Sequence, residues 1–216
     1  MPTIDQARLW YPADDPVHGF DHVLRVYALA EYLAISEGAD LKIVRAAALL
    51  HDASIDILPP YSGEIGRMNH QHLSAELAQE VLAAEGWSSK DIAAVQHAIR
   101  AHRFRENTEP PRTLEAQVVF DADKLDAIGA IGAARAIAYA ARRGEPAYAP
   151  PSENFLNSGR LEAEERHSAY HEYRYKLIHL KDRLHTETAR RLAQDRHQQM
   201  VDFFEALARQ AGGLPG

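Results

Sequence analysis

From Asp21 onward the apolar residues of this chain return at the spacing of a helix, and no segment gives a convincing strand. Val23, Val26, Tyr27, Ala30, Leu33 and Ala34 share one face of a predicted helix over Asp21–Glu37, and Gly38 ends it. Asp40 can cap the next, Leu41–His51, which is apolar on most sides and so reads as a buried helix. Pro59, Pro60 and Gly63 predict a loop reaching about Asn69. A third helix is expected over His70–Glu85, with Leu73, Leu77, Val81 and Leu82 on one face and Gly86 as its stop. Ser88 and Asp91 have capping-box spacing and start a fourth, through His102. After Pro110 and Pro111 a long Ala-rich helix is expected over Leu114–Arg143, with Gly129 and Gly132 allowing close approach of a neighbour. Within it, Gln117–Phe120 looks strand-like in isolation and is assigned to helix from its neighbours. Gly144, Pro146, Pro150 and Pro151 mark a second loop. Leu161–Arg209 then reads as one or two long helices with an apolar stripe of Leu192, Met200, Phe203, Phe204 and Leu207. The expected fold is all-α, one domain of 216 residues, with a core over about 15–145 and helices over about 161–210 packed on it.

Composition narrows the chemistry. There is no cysteine, so disulfides and thiolate metal sites are excluded, and a metal must be held by imidazole and carboxylate. The N-terminus lacks a basic region followed by an apolar run, and apolar stretches such as Ala46–Leu50 are too short to span a bilayer. A cytoplasmic location without membrane contact is expected. The formal charge of −7 argues against an extended nucleic-acid surface. It leaves room for a small phosphate ligand, because a divalent cation reverses the local field.

The strongest chemical signal is Ala47-Ala48-Leu49-Leu50-His51-Asp52. An apolar helix ends by delivering an imidazole and a carboxylate side by side, on a rigid platform. Alone, His51 could simply favour the helix dipole and Asp52 cap the next turn. The pair has company: His18-Gly19-Phe20-Asp21-His22-Val23-Leu24-Arg25-Val26 lies upstream and Asp121-Ala122-Asp123-Lys124-Leu125-Asp126 downstream, each flanked by core-forming residues.

The order His22, His51-Asp52, Asp123 resembles the HD superfamily of metal-dependent phosphohydrolases. Residues 18–26, 46–52 and 121–132, with His171-Glu172-Tyr173-Arg174-Tyr175-Lys176-Leu177 and 182–204, resemble a bacterial branch of small HD hydrolases that includes nucleotide pyrophosphohydrolases. The likeness covers roughly residues 15–208. It implies a single HD-domain helical bundle with a long C-terminal helical region. It also implies a divalent cation (Mn, Mg, Ni, Co, Fe or Zn) held by His22, His51, Asp52 and Asp123, with two open positions on an octahedral ion. Asp121 competes with Asp123, which is preferred because it precedes Lys124-Leu125. Asp126, one turn after Asp123, is a candidate to orient a ligand or the attacking water. His72, His97 and His102 fall where related proteins bind substrate phosphate or a second metal; His72 is taken as a catalytic candidate and His97 and His102 as substrate-binding ones. The spacing of His97 and His102 places them about 140° apart, so they are no chelating pair and one cation is expected rather than two. Several branches carry an acidic residue three positions after the motif Asp; here that position is Ile55, and Asp56 follows as the catalytic candidate. Arg25, Arg67, Arg103 and Lys124 are the candidates to bind substrate phosphate. His167, His171, His179, His185 and His197 are read as surface residues.

The expected activity is hydrolysis of a phosphorylated small molecule: a nucleoside triphosphate to monophosphate and pyrophosphate, or a related phosphoester. The alternatives are a phosphatase or phosphodiesterase on another metabolite, and a non-catalytic helical protein that keeps a metal for stability. An apolar C-terminal stripe is compatible with a homodimer.

Overall fold

The computed structural model describes residues 1–11, 19–53, 64–103 and 109–212, the side chains of 64–69 excepted. Among the described residues there is no strand, and the elements run α1 (Ile4–Arg8), α2 (Phe20–Glu37), α3 (Leu41–Leu50), α4 (Glu64–Ala84), α5 (Ser89–Ala101), α6 (Leu114–Asp126), α7 (Gly129–Arg142), α8 (Glu153–Ser158), α9 (Ala169–Tyr175), a 3-10 helix (Leu177–Arg183) and α10 (Glu187–Ala211). The all-α expectation holds. None of these helices is long and apolar enough to cross a membrane. The chain divides into two compact units, one of Met1–Asp123 with His185–Ala189, the other of Lys124–Leu184 with Arg190–Gly216.

In the first unit the capping signals act where the sequence places them. Asp40 accepts the Lys42 N–H at 2.8 Å to start α3, and Ser88 accepts that of Asp91 at 3.1 Å to start α5. Gly38 closes α2 in the left-handed conformation, φ 79°, which a residue with a Cβ adopts only under strain. Helix α3 is buried along most of its length and packs on α2, α4 and α5. Helix α4 begins at Glu64, a turn and a half before the expected start at His70. The Gln117–Phe120 run is helical, with Val118 and Val119 fully buried.

Asp121 ties a distant segment into this unit. Its carboxylate accepts the backbone N–H groups of His185 and Thr186 and the Thr186 hydroxyl, the last two at 2.7 Å. Burial pushes its pKa up, and these donors pull against that without cancelling it. Glu37 likewise accepts the Thr188 N–H at 2.7 Å.

In the second unit two sequence expectations are corrected. The helix expected over Leu114–Arg143 is broken between α6 and α7: Ile128 is extended (φ −123°, ψ 170°), and Gly129 turns left-handed at φ 79°. A Cβ on Gly132 would lie 2.2 Å from the Ala127 carbonyl oxygen, so the glycine serves this tight break. The helices expected over Leu161–Arg209 begin only at Ala169, pass through the 3-10 helix, and resume at Glu187. The reason is polar. Glu165 accepts the Ser152 N–H and hydroxyl, the Glu162 N–H and a bond from His171 Nε2, while the Ser168 hydroxyl caps α9. His171, expected on the surface, is fully buried in this network, with Ser168 Oγ 2.8 Å from its Nδ1. Along α10, Met200 and Phe204 are buried, and Phe204 stacks on Tyr173 at 4.5 Å; Phe203 of the expected stripe is exposed.

Burial acts to raise the pKa of Glu165, but its N–H, hydroxyl and imidazole partners outweigh that and bring it from the ordinary 4.5 down to about 2. A depressed folded-state pKa gives stability that is fully present above the unfolded value and is lost as pH falls toward the folded one. Glu165→Gln should therefore lower the melting temperature at pH 7, and the gap from the parent should shrink between about pH 4.5 and pH 2 in thermal scans.

Candidate metal centre

Five helices of the first unit each bring a side chain to one place. The first turn of α2 carries His22, 1% exposed; the buried end of α3 carries His51 and Asp52; α4 carries His70; the C-cap of α5 is His102; and α6 carries Asp123. His22 Nε2 is 3.5 Å from Asp123 Oδ1 and 3.9 Å from Asp52 Oδ2, which lies 3.5 Å from His51 Nε2. The other oxygen of Asp52, Oδ1, is 3.4 Å from both His70 Nε2 and His102 Nε2, themselves 3.4 Å apart. Two donor groups result, His22/His51/Asp123 and Asp52/His70/His102, each with its ligand atoms within 4.8 Å of one another. Asp52 faces both.

Tautomers follow from the backbone. His51 Nδ1 lies 2.9 Å from the Ala48 carbonyl, and His102 Nδ1 is bonded to that of Ile99. A carbonyl only accepts, so each Nδ1 carries the proton and each Nε2 presents a lone pair. With neutral rings, lone pairs face carboxylate oxygens, acceptor against acceptor. Among the described residues, His51 Nε2 and Asp52 Oδ1 are buried with no hydrogen-bond partner. Each such orphan costs about 1–3 kcal/mol unless something electropositive satisfies it. Nitrogen and oxygen donors without sulfur suit a divalent cation of the Mg, Mn, Fe, Co, Ni or Zn group. The residues present fit such an ion. Burial would raise the Asp52 pKa, but when the rings of His51, His102 and His70 carry a positive charge they more than offset it and hold it well below the usual carboxylate range.

The four residues expected to bind metal, His22, His51, Asp52 and Asp123, are thus brought together. Asp121 is committed to His185 and Thr186. His102 joins the cluster; His97 does not, since its Nδ1 bonds Glu109 at 2.6 Å and its Nε2 accepts the Arg112 N–H. His72 is exposed and belongs to neither donor group. His70, two residues earlier and unremarked in the sequence, is there instead. It heads the buried ladder Ser74, Ala78 and Leu82 at a period of four, a pattern that lies wholly within the expected helix His70–Glu85 and could have found it. Arg25 pairs with Asp21 at 2.6 Å and Arg103 with Gln71 at 2.9 Å. Lys124 and Asp126 are buried residues of the second unit, where Arg135 engages the Asp126 carboxylate at 2.8 Å. Asp56 and the Arg67 side chain lie outside the described residues.

A bundle of helices whose ends converge imidazoles and carboxylates on a sulfur-free, buried centre defines a class of metalloprotein. The HD domain family model matches residues 19–128, and this chain belongs to that family. It is 34% identical over 217 residues to the uncharacterized protein YpgQ of Bacillus subtilis, covering 97% of this chain and 94% of that one. The crystal structure of B. subtilis YpgQ in complex with ADP superposes with a TM-score of 0.70 at 34% identity, over 96% of this chain and 97% of that one. An HD-superfamily hydrolase of Bacillus thuringiensis matches with a TM-score of 0.66 at 28% identity, over 97% of this chain and 94% of that one. The hydrolase class follows from this family; the bond cleaved does not.

A ligand that binds only the folded state stabilises it, by about 2.7 kcal/mol at a hundredfold excess over its dissociation constant. Adding Mn2+ or Co2+ to metal-stripped protein should therefore raise its melting temperature by several degrees. Asp52→Ala, which removes the group facing both donor sets, should abolish most of that rise.

Proposed function

We propose that this chain is a metal-dependent phosphohydrolase acting on nucleotides, cleaving a nucleoside triphosphate to monophosphate and pyrophosphate. The observation that carries the reading is a pair of buried ligand atoms, His51 Nε2 and Asp52 Oδ1, that have no hydrogen-bond partner among the described residues and lie among four imidazoles and two carboxylates. The likeness to YpgQ, whose crystal structure contains ADP, supports a nucleotide as the substrate class.

The protein's part is positioning. His51 is fixed by the Ala48 carbonyl and His102 by that of Ile99, so both rings present Nε2 without a further conformational choice. His22 and Asp123 complete the first donor group from α2 and α6. When bound, a divalent cation supplies polarisation of the phosphoryl oxygen and a water of lowered pKa. We place the phosphate near this centre, with Arg25, Arg67 and Lys124 as the cationic side chains to test against it and Asp56 as the candidate to handle a proton. The second donor group, Asp52/His70/His102, supports a second cation beside the first, in place of the one expected from sequence. Cytoplasmic action and a homodimer remain part of the proposal.

The test is a nucleotide panel assayed for phosphate and pyrophosphate release with added Mn2+, Mg2+, Co2+ or Ni2+. Turnover should depend on metal, and Asp123→Ala should lower kcat at least about a hundredfold while circular dichroism stays unchanged. His70→Ala should lower the bound-metal ratio from two to one by elemental analysis. A folded, metal-loaded parent with no turnover on any phosphate substrate overturns the catalytic reading.

A further inference from the structure

The last carbonyls of an α-helix have no partner within it, and at a buried end water cannot supply one. The end of α3 is such a case: from Ala46 to Ala53 no residue is more than 6% exposed. Three successive carbonyls there take three different donors. Ala48 O accepts from His51 Nδ1 at 2.9 Å, and Leu50 O accepts the Ala53 N–H at 3.2 Å. Leu49 O accepts the Tyr11 hydroxyl at 2.9 Å, a buried bond spanning 38 residues. The first two donors belong to the helix end itself; only the third reaches it from elsewhere in the chain.

Tyr11 also touches the other ligand-bearing end. Its ring centroid is 5.5 Å from that of Phe20, the first residue of α2, two positions before His22. Phe20 is 7% exposed and has the Arg8 guanidinium over its ring at 4.6 Å. The segment bearing Tyr11 is itself anchored: Thr3 and Gln6 form a reciprocal capping box on α1, and Ala7 is fully buried.

We propose that Tyr11 is a positioning residue for the metal centre: its hydroxyl holds the end of α3, and so the placement of His51 and Asp52, while its ring braces the start of α2 before His22. The inference rests on the metal-centre reading above. Tyr11 lies outside residues 19–128, so the HD match does not assign it. Without the hydroxyl, Leu49 O is a buried acceptor with no donor, and the helix end must shift to find one. The residues that shift with it are two ligands.

The test compares Tyr11→Phe, which keeps the ring and removes the hydroxyl, with Val44→Ala, a buried core change about two turns before His51 on the same helix. Each metal-stripped protein is titrated with Co2+, reading both affinity and the visible absorption bands, which report ligand geometry. Tyr11→Phe should weaken Co2+ binding about tenfold and alter the bands, the effect of losing a group that orients a ligand. Val44→Ala should lower the melting temperature but leave affinity within about twofold and the bands unchanged, since cavity creation costs stability without reaching the ligands. Parent-like affinity and bands in Tyr11→Phe, whatever its melting temperature, overturn the proposal alone. A parent that takes up no Co2+ overturns the metal-centre reading, and the proposal with it.

Discussion

Everything in the first unit is arranged around one electrostatic demand, a buried carboxylate and imidazole lone pairs facing one another at the end of α3. Asp52 Oδ1 and His51 Nε2 have no hydrogen-bond partner among the described residues, and the neighbouring rings of His70 and His102 turn their Nε2 atoms to the same point. Left to themselves these groups repel. The surrounding packing holds them there, because α3 is wedged among α2, α4 and α5 and its last turns, from Ala46 on, are buried on every side. A positive ion turns the same geometry from a liability into the tightest point of the unit, which is why the site reads as a cation site before any family likeness is consulted.

The charge pattern fits that reading. The chain carries a formal −7, and anionic substrates would meet an unfavourable average field. A divalent ion at the centre changes the sign where it matters, over a few ångströms. Arg25, bound to Asp21, shows that proximity in sequence to a ligand does not by itself free a cation for substrate.

Much of this was legible in the sequence, for identifiable reasons. Gly38, Asp40 and Ser88 announce helix ends by local chemistry that needs no tertiary context, and the helices they bound deliver His22, His51 and Asp52 as read. What could not be read depended on distant partners. Asp121 and Asp123 both sit on α6 and both looked able to bind metal; only the position of His185 and Thr186 separates their roles. His70 was read only as the first residue of a helix; the proximity of its ring to Asp52 and His102 depends on how α4, α3 and α5 pack. The break between α6 and α7 was hidden too: its alanines favour helix, while Ile128 and Gly129 are held in conformations that end one. His171 looked like a surface residue on a charged helix, and its burial is set by Glu165 and Ser168 in a segment with no regular structure.

The bond from Asp121 to His185 and Thr186 bears on how the chain is made. The unit that carries the candidate metal centre is not finished at the end of its own helices; it recruits five residues, His185–Ala189, from near the far terminus. During synthesis these donors to Asp121 become available only some sixty positions later, and until then water must serve its carboxyl. The unit that looks earliest in the sequence is thus completed by residues made near the end, and a cut after α6 would leave the Asp121 carboxyl without its three protein donors.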